Sequence, residues 1–109
     1  MDLESPELQP FSARMVGTWR DRAVMLAYYD DIRHAGAGRV IARITVGTVP
    51  AVLVDRPGTP AYLRMDCGDD HYEVSVTRGR RLATTSTYDR TLTLSLATEI
   101  AQQVNCSVP

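Results

Sequence analysis

Lysine is absent from this 109-residue sequence, and all twelve of its basic residues are arginine. A GC-rich coding sequence is one source of that bias; a surface selected for bidentate recognition of carboxylate or phosphate is the other. Acidic residues slightly outnumber the arginines, and the formal net charge is −1. That argues against broad electrostatic attraction to DNA or to an anionic membrane. No stretch approaches the roughly 18 consecutive apolar residues that a membrane span requires. The acidic start, residues 1–7, lacks the apolar core of a secretory signal. There are two cysteines, Cys67 and Cys106, too few and too far apart for a zinc site or a disulfide framework. These absences point to a cytoplasmic protein with both cysteines as plain thiols. A Cys67–Cys106 bridge requires the tail to return over the loop that holds Cys67.

The length suits one domain, able to bury roughly two-thirds of its surface without covalent staples. Residues 1–17 show no periodicity and read as an irregular arm, with Phe11, Met15 and Val16 available to pin it to the body. Residues 18–109 then form the domain. Thr18 is a good N-cap, and Gly36 can close a helix over residues 18–35. At 100° per residue, Val24, Met25, Tyr28, Tyr29, Ile32 and Ala35 share one arc.

After Gly38 the period changes to two. Val40, Ala42, Ile44 and Val46 alternate with Ile41, Arg43 and Thr45, as in a strand with one buried face. Gly47 marks a turn or bulge. Pro50 opens a short apolar run and should stand at a strand's beginning or on an edge. Further strands place Leu63 and Met65 opposite Tyr62, Arg64 and Asp66, then Tyr72, Val74 and Val76 on an inner face. Residues 82–88 are extended and rich in Thr and Ser. The short connections favour a meander. Residues 91–96 alternate as a strand would, but Leu92, Leu96, Ile100 and Val104 make a four-spaced stripe. With Asp89 as cap, they favour a helix over residues 90–104. The fold class expected is α+β: a two-layer structure in which an antiparallel four- to five-stranded meander is flanked by an N-terminal and a C-terminal helix.

Chemistry-bearing residues are sparse. Residues 66–71 hold Asp66, Cys67, Asp69, Asp70 and His71, but their spacing fits neither an EF-hand nor a zinc site and suits a solvated hairpin turn. His34 and His71 are the sole imidazoles, and no nucleophile signature accompanies either. Arg78, Arg80 and Arg81 surround Gly79 in a turn that could hold a phosphate or an acidic partner segment. Nucleic-acid binding would want aromatic interleaving there, which is missing. No cofactor or metal motif is present.

On the expected first helix, Trp19 and Leu26 project away from the main arc, bordered by Arg22 and Arg33. Aromatic and arginine side chains together are typical of interface centres. The leading expectation is therefore a small non-enzymatic interaction module, such as an accessory, chaperone, immunity or regulatory protein. Its partner is another protein or a second copy in a homodimer, met through Trp19, Arg22, Leu26 and Arg33 or through an exposed strand edge. The alternative is a small-molecule binder or small enzyme whose pocket, between sheet and helix, is lined by Tyr28, Tyr29, Tyr62, Tyr72 and His71, with Tyr88 nearby.

Overall fold

Every position from 23 to 29 is apolar or aromatic, so this run satisfies a helical period and a strand period equally well. In the computed structural model, which describes residues 13–29, 38–55, 60–80 and 88–104, it belongs to a strand. The elements are β1 (Ala13–Trp19), β2 (Arg22–Tyr29), β3 (Arg39–Val46), β4 (Val49–Asp55), β5 (Tyr62–Cys67), β6 (Asp70–Val76) and α1 (Arg90–Gln103). The strands form one antiparallel six-stranded sheet in the order β1-β2-β6-β5-β4-β3. The α+β class, the antiparallel sheet and the C-terminal helix agree with the sequence reading. The N-terminal helix and the strand count do not.

The correction has a physical cause. β2 is buried on both faces, because Val24, Leu26 and Tyr28 look one way while Ala23, Ala27 and Tyr29 look the other. A strand covered on both sides shows no alternation. Its hairpin with β1 is also hard to read from residue types. The turn is Arg20-Asp21, with φ of 47° and 66°, a conformation usually supplied by Asn-Gly. Neighbouring side chains hold it in place. The Arg20 guanidinium lies 4.3 Å from the centroid of the Trp19 ring and donates to Glu99 at 3.4 Å. Asp21 accepts from Arg80 Nη2 at 2.6 Å. β1 begins at Ala13, inside the segment read as an arm. Residues 1–12 and 30–35 lie outside the described residues.

The remaining strands follow their patterns. β3 and β4 join through a two-residue turn at Gly47, whose φ of +62° glycine adopts without strain. Pro50 is the second residue of β4, ahead of the β4–β5 register that starts at Ala51. Tyr88 forms an isolated bridge with Thr77; the rest of the expected extended segment, residues 82–87, lies outside the described residues.

α1 packs on β6, β5 and β3. Asp89 caps it by accepting from the Leu92 amide at 3.0 Å. Thr93 Oγ1 accepts from Val76 N at 2.9 Å, which pins the first turn to the end of β6. Leu96, Ala97 and Ile100 meet Leu26, Leu63, Met65, Val74 and Val76 in the main core. A smaller cluster of Val52, Val54 and Tyr62 occupies the opposite sheet face. The helix has no long apolar all-round surface, and among the described residues no helix is long and apolar enough to cross a membrane.

Cys67 is disulfide-bonded, in place of the plain thiol expected. Cys106, the other cysteine of the chain, lies outside the described residues. Cross-links of this kind contribute about 2–4 kcal/mol, chiefly by restricting the unfolded chain. Cys67→Ser should therefore lower the denaturation midpoint by that free energy. A reductant should lower the wild-type melting temperature to match and leave the variant unchanged.

Candidate interaction surface

An antiparallel sheet with one row of hairpins has two edges, and here they are β1 and β3. The large apolar side chains that stay exposed among the described residues are Val16, Val40 and Ile41. All three lie on those edges. Val16 stands alone on β1. Val40 and Ile41 are adjacent on β3, 44% and 48% exposed.

Their adjacency comes from a bulge. The β3–β4 register runs Ala42↔Leu53 and then jumps to Val40↔Val54, leaving Ile41 as the extra residue. Without it, strict alternation would put Val40 on the α1 face with Ala42, Ile44 and Val46, as the sequence pattern suggested. With it, Val40 moves to the opposite face beside Val54, at the rim of the Val52–Val54–Tyr62 cluster. Gly38 closes the far side of this cluster. A Cβ there would overlap Val54 Cγ1 and come within 3.3 Å of the Tyr62 hydroxyl. Two guanidinium groups flank the apolar pair. Arg39 is highly exposed and 3.9 Å from Asp55. Arg43 is exposed and makes no ion pair among the described residues.

A second feature is an ionic row on the sheet face away from α1. Asp66 Oδ1 accepts from Arg64 Nε at 3.2 Å and faces His71 Nδ1 at 2.6 Å. Asp66 and His71 are cross-strand partners, as are Arg64 and Glu73. An imidazole oriented by a carboxylate is half of a general-base arrangement. Among the described residues the other half is not within reach. Ser75, on the same face, is four residues along β6 from His71, roughly 13 Å away, and its hydroxyl donates to the Ala61 carbonyl at 2.8 Å. Among the described residues, no group of three or more His, Cys, Asp and Glu side chains could hold a metal ion.

The sheet separates the residues singled out in the sequence. Trp19 and Leu26, expected on an outward stripe, are 4% and 1% exposed and sit in the core. Arg22 is partly buried beside Trp19, with its Nε enclosed and without a hydrogen-bond partner among the described residues. Arg33 and His34 lie outside the described residues. Tyr28 and Tyr72 are on the α1 face with ring centroids 5.2 Å apart, and the Tyr28 hydroxyl donates to Asp70 at 2.6 Å. Tyr29, Tyr62 and His71 are on the opposite face. The five do not line one cavity. Arg78 and Arg80 are exposed, Arg81 is outside the described residues, and Arg80 is engaged by Asp21. That hydrogen bond, with the charge of Asp21, raises the Arg80 pKa above its ordinary value. A cleft of about 390 Å³ does exist between the β3–β4 turn and α1, lined by Val46, Thr48, Val49, Thr98, Ala101 and Gln102. It contains none of the residues expected to bind a ligand. β3 was read correctly as a strand, but nothing local marked it as an edge. The chain matches no protein-family model, no curated protein and no solved structure.

Two measurements check this geometry. Gly38→Ala should destabilise the protein by about 1–3 kcal/mol, the usual cost of overpacking, seen as a lower urea midpoint with an unchanged slope. The second concerns pH. Burial, then the charge of Asp70, raises the Tyr72 pKa, and burial raises that of Tyr88. Both groups are neutral in the folded and unfolded chains below about pH 10. Above it the unfolded chain ionises first, so stability should fall as pH rises through the folded values. Urea midpoints between pH 8 and 11 should show this decline, and Tyr72→Phe should flatten it.

Proposed function

We propose that this chain is a non-enzymatic interaction module whose contact surface is the β3 edge. The observation that carries the reading is the adjacent pair Val40 and Ile41, exposed at the bulge of an edge strand. Protected edges place charges, prolines or inward twists at such positions. Two exposed branched side chains on a strand that is an edge among the described residues are suited to strand addition, in which main-chain hydrogen bonds supply affinity and side-chain contacts supply selectivity. The Arg64–Asp66–His71 row supports this reading indirectly, since its groups satisfy one another across β5 and β6 and none is tied to a nucleophile.

This surface replaces the Trp19 and Leu26 stripe, because those two residues are buried in the core. The module belongs in an oxidising compartment, on the strength of the Cys67 disulfide, rather than in the cytoplasm. The partner is a second copy or another protein.

The test is Val40→Glu with Ile41→Glu, made in the full chain. Both side chains are about half exposed, so the melting temperature should change by only a few degrees. Self-association by light scattering, and capture of partners from the native host, should both be lost. Associations that persist unchanged in a folded double variant would rule out the β3 edge.

A further inference from the structure

We infer that the β3 edge selects an acidic extended segment of another protein, added as a seventh strand, rather than a second copy of this chain. The inference rests on the interaction reading above and adds the chemistry of the occupant. Its basis is charge. The chain is net negative by one, yet β3 carries Arg39 and Arg43 and no acidic residue. The positive edge is thus a local feature. Arg39 has a distant, solvent-exposed contact with Asp55, and Arg43 has no ion-pair partner among the described residues.

Self-pairing conflicts with this charge. An antiparallel pairing of β3 with its own copy brings four guanidinium groups onto two adjacent eight-residue strands, and like charges across a ladder repel. Pairing β3 with β1 of the next copy is heterologous and open-ended, which builds fibres rather than a defined complex. Arg39, opposite Asp55, lies on the α1 face and Arg43, opposite Val52, on the other, so a segment carrying Glu or Asp at two positions three apart, one on each face, meets both arginines without either difficulty. An apolar residue opposite Val40, on the same face as the acidic residue that meets Arg43, would cover it. On the face away from α1, cover over Val40 would extend the Val52–Val54–Tyr62 cluster past the sheet's present rim. A charged edge alone would mark protection against pairing; combined with the exposed apolar pair it marks selection by sign.

The probes are three fluorescein-labelled nine-residue peptides. One carries Glu at two positions three apart and Val elsewhere, one carries Lys at those two positions, and the third is the Glu peptide with Pro at its centre, which removes a ladder donor. Binding to the intact, oxidised chain is followed by anisotropy, and the site by amide shifts of β3. The Glu peptide should bind about tenfold more tightly than the Lys peptide, the scale of two exposed ion pairs. The Pro peptide should bind poorly, and Arg43→Glu should remove or reverse the preference.

Equal binding of the Glu and Lys peptides at β3 would overturn the acidic selectivity while leaving the edge as the contact surface. Binding of neither peptide by a dimer that Ile41→Glu dissociates would show the occupant to be a second copy. That too overturns this inference and preserves the module. Binding of neither peptide by a monomer whose β3 amides shift with no partner overturns both.

Discussion

β2 and β6 are the neighbours in this sheet that are far apart in the chain, and their pairing closes it. The β1–β2 hairpin comes first, and the meander from β3 to β6 returns alongside it, so that Val24 stands opposite Val76 and Tyr28 opposite Tyr72. The ladder continues beyond the strands. Thr77 N donates to the Ala23 carbonyl at 3.0 Å and Ala23 N to the Gly79 carbonyl at 2.7 Å. Its cost is the closure of a loop of about forty residues, between Tyr29 and His71, which grows only logarithmically with length. What offsets that cost is burial on both faces of one ladder. Val24, Leu26, Val74 and Val76 lie against α1, while Ala23, Ala27, Glu73 and Ser75 fill the other side.

The same pairing decides which backbone is left over. β6 occupies the side of β2 that β1 leaves free, so β3 stands at the far end of the sheet. β3 becomes an edge although it is the third strand in sequence. The bulge at Ile41 then determines what that edge presents, by rotating Val40 from the helix face to the opposite one. α1 covers one face and is anchored at β6 through Thr93, which keeps the covered and uncovered sides of the sheet distinct.

Several polar groups inside the fold are arranged in pairs. Asp66 serves both Arg64 and His71, Tyr28 serves Asp70, and Ser75 serves a backbone carbonyl. Each arrangement satisfies a buried or half-buried group whose isolation would cost about 1–3 kcal/mol. The surface turns follow the same principle at lower stakes. Arg20 and Arg80 engage Glu99 and Asp21 in exposed contacts, holding a left-handed turn made from residues that disfavour it.

Much of this was legible in the residues. The alternation in β3, β5 and β6, the turn at Gly47, the start of β4 near Pro50 and the helix beginning after Asp89 all follow from local rules of period, glycine conformation and capping. Residues 23–29 were not legible, because a run without polar gaps fits any period. The Arg20-Asp21 hairpin carried no glycine or asparagine to announce it. These two local ambiguities turned a pair of strands into a helix and placed Trp19 and Leu26 on the outside. The candidate site was less legible still. The sequence by itself determined that 40–46 is a strand and that Arg43 belongs to it. Only the tertiary structure decided that this strand is an edge and that Val40 and Ile41 are exposed together. Edge status depends on which distant strand claims each side of a ladder, and exposure depends on a one-residue slip in register; neither is a property of the strand's own residues.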